Sequence, residues 1–193
     1  MAAINKALLV IDVQKDFCEG GVLQAKKTKS LIQPLNEFIS KAIIQNMLCV
    51  FTRDWHPADH CSFASEGGPW PPHCVQGTAG ADYAEGLIIP DTPGVLEVKK
   101  DVQKAEMSYS AFGNTRLEIE LQKMKISELL VSGIATEYCV KETVLDALQH
   151  KFKVLVLSDL IRPVGLFPGD SDRAIEEMAS AGAVIISSSE YVS

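Results

Sequence analysis

The sequence contains no apolar run long enough to cross a membrane. The longest apolar runs are short, and Ala7–Ile11 is only five residues, whereas a membrane-spanning helix needs about 20. Lys and Arg do not cluster among aromatic residues, and the net charge is -7. Because the phosphate backbone of nucleic acids attracts basic surfaces, this charge pattern disfavours nucleic acid as a partner. Neither a membrane nor a nucleic acid is therefore expected as a partner.

Cysteine is scarce, and its number is odd. An odd count in a chain without an apolar signal segment before its first strand argues against a disulfide framework. We therefore expect free thiols and a cytoplasmic protein. The five cysteines are Cys18, Cys49, Cys61, Cys74 and Cys139.

Short apolar runs alternate with amphipathic segments along the 193 residues. This alternation is typical of βαβ units. We predict one α/β domain over residues 1–193, a three-layer sandwich whose mostly parallel central sheet is flanked by helices. Strands are predicted at 7–13, 48–53, 95–98, 129–132, 154–157 and 183–186, and helices at 31–47, 114–125, 136–150 and 171–180.

The region at about 53–93 is rich in Gly, Pro, His and Trp and lacks periodicity. A loop this long in a compact domain is usually functional. It holds Asp54, His56 and His73, a carboxylate and two imidazoles that suit a divalent metal with open coordination positions. His60 is a further candidate ligand, and Ser62 a candidate support for a metal-bound water. The alternative is a polar loop with scattered histidines.

Reactive side chains follow the predicted strands at their carboxyl ends, where ligands bind to parallel sheets. Asp12 follows the first strand, and either Lys99 or Lys100 points inward from the third, because side chains alternate along a strand. Cys139 lies near the start of the helix predicted at 136–150, which Thr136 is expected to cap. A thiol at a helix N-terminus favours the thiolate, although a small buried cysteine is the common alternative.

Three aromatic residues lie outside the apolar runs, at Phe17, Trp70 and Tyr109. They are candidate walls for a flat ring, and ordinary packing beneath a long loop explains them equally well.

These residues lie in segments that resemble the isochorismatase-like cysteine hydrolases and, within them, the bacterial nicotinamidases. The resemblance covers nearly the whole chain. The matching segments are LLVIDVQKDFCEGG (8–21), TRDWHPADHCSFAS (52–65), WPPHCVQGTAGAD (70–82), SYSAF (108–112), SGIATEYCVKETVLDAL (132–148) and SAGA (180–183).

The resemblance implies a catalytic triad of Asp12, Lys100 and Cys139, and so selects Lys100 over Lys99. It also implies a cis peptide at Ile134–Ala135 that aims the Ala135 N–H, with that of Cys139, at an oxyanion. Two positions depart from the family pattern, which usually has Gly at position 101 and often has Asp at position 107. This chain has Asp101 and Met107 there.

The activity implied by the resemblance is hydrolysis of nicotinamide to nicotinate and ammonia through a Cys139 thioester, in NAD salvage. Phe17, Trp70 and Tyr109 would hold the ring. One divalent metal would bind the pyridine nitrogen, with zinc expected first and iron, manganese or magnesium as alternatives. The implied ligands are Asp54, His56 and His73, with His60 and Ser62 ranked lower.

Two other functions stay open at this stage. One is a related hydrolase of another small amide or of isochorismate, which shares the triad without needing the metal. The other is a non-catalytic metal-binding or small-ligand-binding protein. The sequence does not decide whether the chain forms a homo-oligomer.

Overall fold

A single sheet of six parallel strands forms the centre of the protein, in a computed structural model that describes residues 5–191. The limits of the predicted domain at 1 and 193 lie outside these residues. The strands are β1 (Lys6–Ile11), β2 (Leu48–Asp54), β3 (Val95–Lys100), β4 (Glu128–Ile134), β5 (Lys153–Arg162) and β6 (Val184–Ile186). Neighbouring strands pair in the order β3-β2-β1-β4-β5-β6, and every pair is parallel.

Helices cover both faces of the sheet, which confirms the predicted three layers. Alternate residues of β1 enter opposite cores, with Leu9 in one and Leu8 in the other. The helices are α1 (Lys29–Ile44), α2 (Leu117–Lys123), α3 (Lys141–Gln149) and α4 (Asp170–Ser180). The first core packs beneath α2, α3 and α4, and the second beneath α1. Because both faces are buried, the central strands β1 and β4 are mostly apolar. No helix among the described residues has the length and apolarity of a membrane span.

The strand order changes direction beside β1. The chain progresses outward from β1 through β2 to β3, then returns to place β4 against the other side of β1. On either side of such a reversal, the loops that follow the carboxyl ends of the strands run in opposite directions and form a crevice between them. Ligands bind in this crevice in this class of sheet. The loop between β2 and β3 extends beside this edge and contains only two short 3₁₀ turns, Ala64–Glu66 and Ala79–Ala81.

The helix predicted at 136–150 is interrupted at its start. Thr136–Val140 forms a π-helical turn with a non-helical Tyr138, and the regular helix α3 begins only at Lys141. The predicted capping role of Thr136 is wrong, because its hydroxyl has no hydrogen-bond partner among the described residues and Ala135 holds the N-cap position. Cys139 therefore lies in the turn that joins β4 to α3, and the peptide between Ile134 and Ala135 at the end of β4 is cis, as expected.

Candidate active site

The three residues predicted to be catalytic meet at the carboxyl edge of the sheet. The Nζ of Lys100 lies 3.0 Å from Oδ2 of Asp12 and 3.5 Å from Sγ of Cys139. Asp12, Lys100 and Cys139 are almost completely buried. A carboxylate, an ammonium and a thiol in mutual reach form a unit that can deprotonate the thiol and stabilise the resulting charge.

Strand register selects the inward lysine. Lys100 ends β3 and pairs with Asp54 at the end of β2, and its ammonium contacts the Asp54 carboxylate as well as Asp12. Lys99 points outward, with its Nζ 4.5 Å from the centre of the Trp55 ring. The alternation expected in a strand therefore holds, and Lys100 is the inward residue.

Asp12 is held in place by β2. Its backbone φ is 46°, a left-handed conformation that turns the chain out of β1 and that Asp tolerates better than most residues. The hydroxyl of Thr52 donates to Asp12 Oδ1 at 2.6 Å and accepts from the Asp12 N–H at 3.2 Å. Sequence reasoning missed this contact of Thr52, and the one available signal was a buried polar side chain directly after the apolar run 48–51.

Burial and the Lys100 charge shift the pKa values of these predicted catalytic residues. Burial raises the pKa of Asp12 to about 6, although Lys100 opposes the shift. Burial raises the pKa of the Cys139 thiol well above its usual value, again against Lys100. The expected thiolate is therefore wrong for this resting site, because Cys139 lies buried beside two carboxylates and ahead of the regular helix. Burial disfavours the Lys100 ammonium, but Asp12 and Asp54 hold its pKa well above the usual range.

The predicted metal ligands also converge. One ligand atom from each of Asp54, His56 and His73 lies within 4.8 Å of the others. His73 Nδ1 lies 2.8 Å from the Pro71 carbonyl and His56 Nδ1 lies 3.4 Å from the Asp101 carbonyl. If both Nδ1 atoms carry the proton, both Nε2 atoms are free to bind a cation, which is the usual arrangement of metal-binding histidines.

The charge states of Asp54 and His73 also suit the binding of a metal cation. Burial alone would raise the pKa of Asp54, but Lys100 and His56 hold it well below its usual range. Burial lowers the pKa of His73 and so favours the neutral imidazole that a metal requires. The donor set therefore fits a divalent metal ion.

His60 and Ser62 are paired with each other. His60 Nδ1 lies 2.7 Å from Ser62 Oγ, and its Nε2 lies 2.5 Å from the Glu106 carbonyl. The His60 ring stacks on His56 with centroids 4.1 Å apart. Both ring nitrogens of His60 are thus engaged with protein atoms, and a place for His60 or Ser62 in a metal shell stays a prediction.

A small cleft, partly open to solvent, joins the predicted metal ligands Asp54 and His73 to Cys139. Its walls include all three predicted aromatic residues, and the Trp70 indole N–H donates to the Tyr109 hydroxyl at 3.0 Å. Sequence reasoning missed Leu23, Tyr138 and Val164. The lining residues are Phe17, Leu23, Asp54, Trp70, His73, Tyr109, Ile134, Ala135, Tyr138, Cys139 and Val164.

Asp101 has a structural reason to differ from the family pattern. Its φ is 53°, which glycine adopts freely and Asp accepts at modest cost. Its buried carboxylate accepts the Ser108 N–H with both oxygens at 3.0 Å, and so holds the loop that leads to Tyr109. At position 107, where the family often has Asp, this chain has the exposed Met107. The carboxylate that contacts this loop therefore comes from Asp101.

Comparison with known proteins gives matches over nearly the whole chain. The family described as Isochorismatase domain matches residues 6–190. The nicotinamidase of Escherichia coli is 37% identical, with 96% of each chain covered. The pyrazinamidase of Pyrococcus horikoshii, solved in complex with zinc, has 40% identity and a TM-score of 0.90, covering 95% of this chain and 99% of its own. PnC1 of L. infantum, solved in complex with nicotinate, has 35% identity and a TM-score of 0.87, covering 100% and 97%.

Proposed function

The chain belongs to the isochorismatase family, and from that premise we propose that it is a nicotinamidase, which hydrolyses nicotinamide to nicotinate and ammonia. One observation supports this most strongly: Asp54 and His73 of the metal ligands line the same small cleft as the Cys139 nucleophile. That arrangement suits a substrate whose ring is held on the metal side of the cleft and whose carboxamide is attacked by Cys139. The similarity to the nicotinamidase of Escherichia coli and to PnC1, solved with nicotinate, agrees with this substrate.

We assign the binding of the pyridine ring to the aromatic walls of the cleft. Phe17 and Trp70 line the cleft, and Tyr109 holds the Trp70 indole through their hydrogen bond. Flat rings pack well against such surfaces and displace water from the reacting centre.

We assign the chemical steps to Asp12, Lys100 and Cys139. Asp12, ionised above its pKa of about 6, takes the thiol proton, and the sulfur attacks the carboxamide carbon. The carbon–nitrogen bond then breaks while Asp12 returns the proton to the leaving ammonia, which leaves a thioester on Cys139. Water deprotonated by Asp12 attacks the thioester, releases nicotinate and restores the thiol. Lys100 offsets the negative charge on sulfur and helps to keep Asp12 ionised.

We place the oxyanion of the tetrahedral intermediate against the backbone N–H groups of Ala135 and Cys139. Both residues line the cleft, and Ile134–Ala135 is the cis peptide at the end of β4. A single donor of this kind is typically worth about 3 kcal/mol of transition-state stabilisation.

We propose Asp54, His56 and His73 as the ligands of one divalent ion, with zinc as its identity. Imidazole and carboxylate donors suit zinc, and the pyrazinamidase of Pyrococcus horikoshii was solved with it. When bound, the ion would supply a Lewis-acid anchor for the pyridine nitrogen. Elemental analysis of purified protein tests this assignment, and iron, manganese or magnesium in stoichiometric amount would correct it.

The proposed reaction takes place in NAD salvage, as the family resemblance implies. All five cysteines are free, which agrees with the proposed cytoplasmic location.

Ammonia release from nicotinamide and from a simple aliphatic amide tests the activity, and isochorismate, which contains no nitrogen, is followed by its own disappearance in a parallel assay. We expect nicotinamide to be preferred by a large factor in kcat/KM. Preference for another substrate would assign the chain to a related hydrolase, and no turnover with metal-loaded protein would contradict catalysis.

A further inference from the structure

Gln14 is a buried polar side chain that the proposed reaction does not use. It lies two residues after Asp12 in the loop that leaves β1, and none of its surface is exposed. Burying an amide is costly unless its polar atoms are bonded. Its hydrogen-bond partners therefore indicate what it does.

The Gln14 amide binds both main-chain polar groups of Asp54. Its Oε1 accepts the Asp54 N–H at 2.8 Å, and its Nε2 donates to the Asp54 carbonyl at 2.8 Å. The second Nε2 hydrogen donates to the carbonyl of Ala81 at 3.0 Å. One side chain thus fixes the backbone of Asp54 and ties it to the loop that follows His73.

These bonds replace a strand neighbour that Asp54 lacks. The ladder between β1 and β2 has its last pair at Val10 and Phe51, because the chain turns away at Asp12. On the opposite side, Asp54 still pairs with Lys100 of β3. The side chain of Gln14 therefore completes the hydrogen bonding at the end of β2 where the backbone of β1 no longer reaches.

The orientation of the Asp54 carboxylate depends on that backbone. One of its oxygens contacts the Lys100 ammonium, and Oδ2 lies 3.5 Å from Nε2 of His56. A rotation of the Asp54 peptide would move both oxygens together. Gln14 fixes this peptide. Because Gln14 and Asp12 lie in the same loop, Gln14 also sets the position of the metal-facing Asp54 oxygen relative to Asp12.

We propose that Gln14 is a positioning residue for the metal ligand Asp54 and that it sets the affinity of the site for a divalent cation. The inference rests on the proposed metal site. Partners that orient metal ligands typically contribute about 10- to 100-fold in affinity, and we expect losses in this range when the Gln14 amide is replaced.

Zinc binding to two variants tests the proposal. Gln14→Met removes all three hydrogen bonds at similar volume, and Gln14→Glu keeps an acceptor for the Asp54 N–H while losing the amide donors. Apo-protein is titrated with zinc against a chromophoric chelator, and circular dichroism confirms that each variant is folded. We expect zinc Kd to rise about 10- to 100-fold in both. If Gln14→Met does not fold, Gln14→Glu decides alone.

Ser132→Ala is the matched control. Ser132 is also fully buried and donates to a main-chain carbonyl of β1, that of Leu9, at 3.0 Å, but it contacts none of the proposed metal ligands. We expect it to lower stability and to leave zinc Kd within about threefold of the parent.

The outcomes separate the two hypotheses. Gln14 variants that bind zinc as tightly as Ser132→Ala would overturn the positioning role, and a parent protein that binds no zinc would overturn the metal site on which it rests. Turnover gives an independent second readout. If Gln14 positions the metal ligand, saturating zinc should restore the KM of the Gln14 variants for nicotinamide to that of the parent protein. A failure of nicotinamide hydrolysis alone would refute the proposed substrate and leave the zinc titration as the test of Gln14.

Discussion

The ammonium nitrogen of Lys100 lies 3.5 Å from the sulfur of Cys139, and both side chains are almost completely buried. Even so, burial and the neighbouring carboxylates hold the pKa of the thiol well above its ordinary value. The resting nucleophile is therefore a neutral thiol. Lys100 acts on the thiolate that appears once Asp12 removes the proton, so base and cation are both needed.

Replacing the nucleophile tests covalent catalysis. Cys139→Ala removes the only sulfur that contacts Lys100 among the described residues, and we expect ammonia release to fall by at least about 10⁴-fold. Nicotinamide binding, measured by calorimetry, should persist because the aromatic walls are unchanged. Cys18→Ser, which alters a half-buried thiol outside the cleft, serves as the control and should stay active. Turnover of Cys139→Ala within about 100-fold of the parent would reject the thioester route.

The two adjacent lysines give a matched pair of variants. Lys100→Met leaves the carboxylates of Asp12 and Asp54 facing each other without a cation, and the pKa of Asp12 should rise further. With its base protonated near neutral pH, the enzyme should lose about 10²- to 10⁴-fold in kcat/KM. Lys99→Met, in a side chain that is 40% exposed, should change kcat/KM by less than about twofold. Equal effects of the two substitutions would show that the buried cation has no special role.

Asp12 predicts the acid limb of the pH profile. A carboxyl with a raised pKa, here about 6, is protonated below that pH and cannot accept the thiol proton. We therefore expect kcat/KM to be constant near neutral pH and to fall about tenfold per pH unit below about 6. The measurement is kcat/KM against pH, with circular dichroism at each pH to exclude unfolding. A flat profile through pH 6 would remove Asp12 as the base.

The sequence predicted the sheet and most of the site because both depend on local patterns. Each core strand is a short apolar run, and in parallel strands the polar residue that follows the run falls at one edge. Asp12, Asp54 and Cys139 could be placed there without coordinates. The choice between Lys99 and Lys100 could not be made from alternation, because it depends on how β3 pairs with Asp54 of β2.

What the sequence could not predict depends on contacts between distant residues. Periodicity gave no sign of the π-helical turn at Thr136–Val140, so Cys139 was taken for a helix N-terminal thiol and its pKa was expected to fall. The partners of Gln14 lie 40 and 67 residues along the chain. A polar residue after a buried strand marks such a position, but only the fold identifies the groups that it binds.

His73 offers the cleanest test of the metal, because Asp54 also contacts Lys100 and its loss would disturb the triad directly. We expect His73→Ala to lower bound metal and to raise KM for nicotinamide about tenfold or more, with a smaller loss in kcat because Asp12, Lys100 and Cys139 keep their places. Chelation of the parent protein should have the same effect and should be reversed by adding zinc. The control is His150→Ala, at the end of α3 and paired with Glu118, which should retain metal and KM. A fall in kcat at unchanged KM would instead assign the metal to activation of the attacking water.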